Sequence, residues 1–204
     1  ISNYGYEKAK ASIDESLRRL QTDYIDLMLL HQPFCDRYGA YRALQDAYRE
    51  GKLRAIGVSN FYPDHFIDIA GNMEIVPAVN QVETHVFNQQ VEPQKIMEEL
   101  GTHIMSWGPF AEGRNNMFTN ETLADIASRH GKSVTQVALR WLIQRGVIII
   151  PKSTHIERMR QNLDIFDFEL TDDEMRQIAT LDTGHSLFFD HHDAETARMF
   201  MNRK

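Results

Sequence analysis

A lysine, a hydroxyl group and an arginine follow one apolar run at a spacing that suits a phosphate. Residues 147–150 are all valine or isoleucine, and Lys152, Ser153 and Arg158 come soon after them. A phosphate monoester is held well by a point charge, a hydroxyl donor and the planar fork of a guanidinium. The apolar run predicts a fully buried strand, and a helix that begins after it would add free backbone amides. The alternative is a solvated basic turn beside an edge strand.

The composition excludes several classes of protein. The chain has 204 residues, 42% of them hydrophobic, and a formal net charge of −7, so we expect one domain over residues 1–204 and no nucleic-acid partner. Its one cysteine, Cys35, cannot form an internal disulfide, which is typical of a reducing compartment and predicts a cytoplasmic location. No stretch is apolar for long enough to suggest a membrane span, and nothing indicates an obligate protein partner.

Strand-like and helix-like segments alternate along the chain. Five apolar segments predict strands, at residues 24–31, 53–59, 79–83, 103–107 and 147–150. Capping boxes at Ser133 and Thr171 predict the starts of two of the helices between and after them. A further helix is predicted from the spacing of Tyr6, Ala9, Ile13, Leu17 and Leu20. Short connections and strict alternation favour a parallel sheet, either a complete small α/β sheet or most of a larger barrel.

Two long motifs and several shorter ones decide between these architectures. Residues 57–61 (GVSNF) resemble the central signature of the aldo-keto reductases, and residues 150–162 (IPKSTHIERMRQN) resemble the C-terminal signature. Shorter segments also resemble the family and occur in the same order as in the family, at residues 17–33, 79–83 and 106–109. Within the family, the chain most resembles the bacterial reductases of small aldehydes and keto acids. The resemblance implies an α/β fold, a (β/α)8 TIM barrel that is N-terminally incomplete and holds strands 4–8 with their helices.

The resemblance also implies the cofactor, NADP(H), and the residues that bind it. Lys152, Ser153 and Arg158 would hold the 2′-phosphate. The nicotinamide carboxamide needs both donors and acceptors, which the pair Ser59 and Asn60 would provide with Gln81. The other implied cofactor-binding residues are Trp107 under the nicotinamide, Gly108 and Phe110 along the pyrophosphate, Thr154 in the phosphate motif, and Gln161 and Asn162 at the adenine.

The implied chemistry is hydride transfer between the nicotinamide and the carbonyl of a small aldehyde or ketone. His31 matches the family's catalytic histidine, which orients and polarises that carbonyl. The family's tyrosine acid, its lysine and its aspartate match no position, and we expect their strands to precede Ile1. The leading hypothesis is therefore an NADP(H)-dependent oxidoreductase represented by a fragment. The alternatives are an NADP(H)-binding module without catalysis and an inactive remnant.

The C-terminal tail offers a weaker set of candidate residues. His185, Asp190, His191, His192 and Asp193 could bind a metal ion, but the resemblance implies no metal, and we predict none. Phe188 and Phe189 would either line the mouth of the substrate pocket or pack.

Overall fold

The computed structural model describes residues 3–202, which form two compact units. The first unit is built from residues 3–82, Glu92–His103 and residues 189–202. The second is built from Glu83–Val91 and Ile104–Phe188. No helix among the described residues is long and apolar enough to cross a lipid bilayer.

Strands and helices alternate along most of the chain. The strands are β1 (Met28–Leu30), β2 (Ile56–Ser59), β3 (Val79–Glu83), β4 (His103–Trp107) and β5 (Ile148–Ile149). The helices are α1 (Tyr6–Leu20), α2 (Arg37–Arg49), α3 (Pro63–Asn72), α4 (Val91–Glu99), α5 (Glu121–His130), α6 (Val134–Gln144), α7 (Ile156–Leu163), α8 (Asp172–Ala179) and α9 (Ala194–Asn202). Short 3-10 turns at Ala111–Gly113 and Met117–Thr119 lie between β4 and α5.

In the first unit the strands pair in parallel. Leu29 of β1 lies opposite Gly57 of β2, and Ser59 of β2 lies opposite Gln81 of β3. Gly57 allows this close approach, because a Cβ atom there would lie 2.5 Å from the carbonyl oxygen of Val79. Parallel pairing brings the carboxyl ends of the three strands to one edge, where the residues that follow β1 and β2 gather.

In the second unit β4 and β5 also pair in parallel, with Met105 opposite Ile148. The capping box predicted at Ser133 is present and starts α6, which buries Trp141 in the core. Gly146, with a φ angle of 76°, turns the chain after α6 into β5. The second predicted capping box, at Thr171, is present at the start of α8.

The strand predicted at residues 147–150 differs from the observed one. Val147 is buried, but only Ile148 and Ile149 form the strand, and the side chains of Ile148 and Ile150 are 37% and 52% exposed. The prediction of a fully buried strand is wrong. Side chains alternate between the two faces of a strand, and Ile148 and Ile150 lie on the face that is open to solvent, whereas Val147 lies on the covered one.

Two other expectations need correction. The predicted strand at residues 24–31 is reduced to Met28–Leu30, with an isolated bridge between Ile25 and Leu53. Leu20, assigned to the apolar face of α1, is 65% exposed, because the helix ends there and Gln21 adopts a left-handed conformation. The same face does bury Ala9 and Ile13.

Candidate functional site

A cavity of about 520 Å³ lies in the second unit, where the chain leaves β5 and enters α7. All the predicted residues of the phosphate and adenine motif line this cavity, together with Phe110 from the loop after β4. The lining residues are Phe110, Phe118, Thr135, Lys152, Ser153, Thr154, His155, Arg158, Gln161 and Asn162. The structure therefore brings together predicted residues that lie some forty positions apart in sequence.

Local folding explains how this segment presents its side chains. The hydroxyl of Ser153 accepts a hydrogen bond from the His155 amide at 3.1 Å, and this turn leads into α7. Arg158 lies in the first turn of the helix. Gln161 and Asn162 follow it by three and four residues, the spacing that places side chains on one side of an α-helix.

The charges around the cavity are all of one sign. Lys152 and Arg158 line it, and none of its lining residues is an aspartate or a glutamate. Neither cation forms an ion pair within residues 3–202, whereas the neighbouring Arg160 pairs with Glu157 at 2.7 Å. Two uncompensated cations at one cavity repel each other, so a bound anion such as a phosphate would be stabilised there.

The carboxamide residues form a hydrogen-bonded cluster in the first unit. The carbonyl oxygen of Gln81 accepts hydrogen bonds from the Ser59 hydroxyl at 2.9 Å and the Asn60 amide at 2.8 Å. The side-chain amide of Asn60 donates to the carbonyl oxygen of His31 at 3.2 Å. Asn60 has a φ angle of 62°, which turns the chain sharply after β2. These contacts hold Ser59, Asn60, Gln81 and His31 together at the carboxyl edge of β1, β2 and β3.

His31 follows the last residue of β1, as predicted. Partial desolvation lowers the pKa of its imidazole, although the residue as a whole is exposed. A lowered pKa favours the neutral imidazole at pH 7, which can donate one hydrogen bond and accept another. A hydrogen-bond donor to a carbonyl oxygen is therefore available at this position.

Gln32, the residue after His31, is buried and held by its backbone. Its amide donates to the hydroxyl of Tyr4 at 2.7 Å. Burial raises the pKa of the Tyr4 phenol, so this tyrosine stays protonated and serves a structural role.

Trp107 and Gly108 are not among the residues that line the cavity. Trp107, at the end of β4, packs against Phe188 in an edge-on arrangement with the ring centroids 5.1 Å apart. Gly108 has a φ angle of 63°, a conformation that glycine adopts without strain. The predicted site residues of the second unit therefore fall into two groups, one around the cavity and one beside Phe188.

Three residues that line the cavity were missed by the sequence analysis. His155 lies inside the recognised motif, so its position could have drawn attention. Phe118 pairs with the ring of Phe110 at 6.4 Å through the conformation of a loop, and Thr135 lies in the first turn of α6. No sequence pattern indicates the last two.

The tail histidines do not gather into a metal site in the part of the chain that the structure describes. No group of three or more histidine, cysteine, aspartate or glutamate side chains is placed there to hold a metal ion. His191 is instead buried and packs beside the rings of Phe34 and Phe200, with centroid distances of 6.5 Å and 5.6 Å. Phe189 joins this cluster, its ring 5.0 Å from that of His191. Of the two roles considered for Phe189, these contacts favour packing.

The model of the Aldo/keto reductase family matches residues 1–183. The chain belongs to this family. It is 46% identical over 178 residues to the glyoxal reductase of Bacillus subtilis, a match that covers 87% of the chain and 64% of that relative. The chain thus spans less than two thirds of the length of that curated relative.

Solved structures agree with this assignment and confirm the predicted fold class. An aldo-keto reductase from a deep-sea metagenome library of the Medee basin superposes with a TM-score of 0.89 at 38% identity, covering 95% of this chain and 72% of that one. An aldo-keto reductase of Bombyx mori in complex with NADP gives a TM-score of 0.85 at 33% identity, with 96% and 68% covered. The fold is that of an aldo-keto reductase TIM barrel, of which the chain holds a part.

Proposed function

We propose that this chain binds NADP(H) and belongs to an oxidoreductase that transfers hydride between the nicotinamide and the carbonyl carbon of a small aldehyde or ketone. The observation that carries this proposal is the cavity beside α7, which has two unpaired cations and no carboxylate in its lining. Family membership and the NADP complex of the Bombyx mori relative support it.

The chemistry of the residues that line the cavity supports binding of the 2′-phosphate. In this proposal Lys152 and Arg158 neutralise the phosphate, and Ser153 adds a hydroxyl beside the start of α7. Thr154 lies in the same turn, and Gln161 and Asn162 offer amide groups to the adenine. NADH lacks the 2′-phosphate, so it would leave both cations uncompensated, and NADP(H) is the preferred cofactor.

The family resemblance assigns the remaining predicted residues to the other end of the cofactor. Ser59, Asn60 and Gln81 hold the carboxamide, and their mutual hydrogen bonds keep these side chains in place. Trp107 supplies the ring surface on which the nicotinamide lies. Gly108 and Phe110 belong to the loop that follows the pyrophosphate.

The bound cofactor supplies the hydride, and His31 is the residue of this chain that acts on the substrate. Its neutral imidazole donates a hydrogen bond to the carbonyl oxygen, which orients the carbonyl and stabilises the charge that develops there. The first aldehyde to test is glyoxal, since a relative is named for its reduction. The cytoplasmic location stays a prediction from the single cysteine.

An NADP(H)-binding module without catalysis is the second candidate. One observation favours it: the cavity residues account for cofactor binding and carry no catalytic role themselves. The codons upstream of Ile1 separate the two candidates: strands that carry the aspartate, the tyrosine and the lysine would support the first, and codons without them would support this one.

The test is a calorimetric titration of the 204-residue chain with NADPH and NADH, using two arginine variants from the same helix. Arg158→Ala removes a charged hydrogen-bond donor to the phosphate and should weaken NADPH binding about 10- to 150-fold. Arg160→Ala is the matched control, because Arg160 is exposed and pairs with Glu157. It should change NADPH affinity by less than about twofold.

NADH affinity should be the same in both variants and in the wild type. Equal losses of NADPH affinity in Arg158→Ala and Arg160→Ala would contradict the proposal, because the effect would then reflect net charge rather than the cavity. Equal affinity of the wild type for NADPH and NADH would contradict it as well.

A further inference from the structure

A second constellation of polar side chains lies in the second unit, apart from the cavity residues. Glu83, at the end of β3, is fully buried, and its carboxylate accepts hydrogen bonds from three donors. His85 Nε2 and the Leu187 amide each lie 2.9 Å from Oε1, and the Ser186 hydroxyl donates to Oε2. The buried carboxylate of Glu83 therefore holds a segment about a hundred residues further along the chain.

The protonation states follow from the hydrogen bonds. His85 Nδ1 accepts from the Phe87 amide at 3.2 Å, so we assign the imidazole proton to Nε2, which faces Glu83. Burial alone would raise the pKa of Glu83, but the hydrogen bonds from His85, Ser186 and Leu187 outweigh it and lower the pKa. The carboxylate is thus ionised at neutral pH.

This arrangement fixes residues 186–188 in one place. If the segment moved away, Glu83 would keep only the His85 donor and would remain a buried charge with unfilled acceptor sites. Leaving a buried charged group without its partners is strongly unfavourable. The Phe188 amide continues the network, since it donates to the Ser186 hydroxyl oxygen at 3.0 Å.

The residue held in place by this network is Phe188. Its ring meets Trp107 at 5.1 Å and an interplanar angle of 62°. The guanidinium of Arg114 lies 4.1 Å from the centre of the same ring, on the loop that follows Trp107. Arg114 also donates to the carbonyl oxygen of Leu187. Phe188 thus contacts both the tryptophan at the end of β4 and a cation of the next loop.

We propose that Glu83 is a positioning residue, which fixes the ring of Trp107 through residues 186–188 and so shapes the surface that receives the nicotinamide. The last clause rests on the proposed function, whereas the link from Glu83 to Trp107 rests on the contacts alone. Neither Glu83 nor Ser186 belongs to the predicted cofactor residues, and both act through Phe188.

The test uses fluorine NMR of the 204-residue chain labelled with 5-fluorotryptophan, which gives one resonance for each of the two tryptophans. The Trp107→Phe variant lacks one of the two resonances and so identifies the one that belongs to Trp107. The Trp141 resonance reports whether the core is folded. Glu83→Gln and Ser186→Ala should each shift or broaden the Trp107 resonance without cofactor.

A matched control exists elsewhere in the second unit. Glu174 is also buried and accepts from a histidine, a hydroxyl and a backbone amide, namely His130 at 3.0 Å and both groups of Thr171. Glu174→Gln should leave the Trp107 resonance in place. If Glu83→Gln fails to fold, Ser186→Ala decides, because it removes one donor and leaves the carboxylate with two.

Binding measurements separate this inference from the proposed function. Glu83→Gln should weaken NADPH binding about two- to tenfold and leave binding of 2′,5′-ADP, which lacks the nicotinamide, unchanged. If the wild type binds neither ligand, the proposed function fails, while the fluorine spectra still test the positioning. An unmoved Trp107 resonance in folded Glu83→Gln, or in Ser186→Ala, would overturn the inference.

Discussion

Replacing Gly57 with alanine tests the strand arrangement that carries Ser59 and Asn60. The new Cβ atom would lie 2.5 Å from the Val79 carbonyl oxygen and 2.8 Å from a methyl carbon of Leu29. Ordinary contacts begin at 3.4 Å, so β2 and β3 would have to separate by about 0.9 Å at this point. The Leu29 methyl group can move with its side chain, but the Val79 oxygen belongs to the backbone and cannot move unless the strand moves.

The separation of the two strands determines how much stability Gly57→Ala should lose. The Gln81 carbonyl oxygen accepts hydrogen bonds at 2.9 Å from the Ser59 hydroxyl and at 2.8 Å from the Asn60 amide, and both would stretch beyond useful length. Overpacking costs about 1–3 kcal/mol, and two lost hydrogen bonds cost about 1–3 kcal/mol more. We therefore expect Gly57→Ala to lower the free energy of unfolding by about 2–6 kcal/mol and to weaken NADPH binding.

The assay is urea unfolding followed by circular dichroism, with Gly71→Ala as the matched control. Gly71 lies in α3 of the same unit, and a Cβ atom there would meet nothing within 4 Å. Alanine in a helix should stabilise the chain by up to about 1 kcal/mol. The same glycine-to-alanine change thus has opposite predicted signs at the two positions. A loss below about 0.5 kcal/mol in Gly57→Ala would refute this account of the strand packing.

Four further predictions follow from single features. Ser133→Ala removes the capping box of α6 and should cost about 1 kcal/mol in urea unfolding, with no change in NADPH affinity; an unchanged midpoint would contradict the cap. Raising the salt concentration from about 0.05 M to 0.5 M should weaken the binding of NADPH more than the binding of NADH, as measured by calorimetry, because salt screens the exposed cations at the cavity. The lowered pKa of Glu174 means that its carboxylate contributes stability fully above the ordinary glutamate pKa of about 4.3 and loses that contribution as pH falls below it. The difference in unfolding free energy between wild type and Glu174→Gln should therefore be smaller at pH 3.5 than at pH 7, and a larger difference at pH 3.5 would reverse the assigned sign. The 204-residue chain alone should oxidise no NADPH when glyoxal is added. A steady loss of NADPH absorbance at 340 nm would show that the reaction does not require the tyrosine that acts as the acid in the family.

The parts of the fold that depend on local patterns could be predicted from the sequence. The capping boxes at Ser133 and Thr171 are present because a cap needs only residues three positions apart. His31 and Ser59 lie at strand ends because alternation of strands and helices limits where strands stop. The exposure of Ile148 and Ile150 could not be read from an apolar run, since burial depends on what covers each face of the strand.

The candidate site was predictable where it follows one contiguous motif. Residues 152–162 share a turn and a helix, so the cavity around them follows from the sequence and the start of α7. Phe118 and Thr135 could not be found in this way, because they reach the cavity through the conformation of separate segments. The contacts from Glu83 to Ser186 and Leu187 span about a hundred residues, and no spacing rule connects positions so far apart.

The central claim is that the cavity beside α7 selects the 2′-phosphate of NADP(H). The most direct test is the quenching of the fluorescence of the two tryptophans of the 204-residue chain, Trp107 and Trp141, during titration with NADPH, with NADH as the comparison. The account predicts saturable quenching with NADPH bound at least about tenfold more tightly than NADH, the least that one charged hydrogen bond contributes. Equal affinities, or no saturable quenching by NADPH, would contradict it.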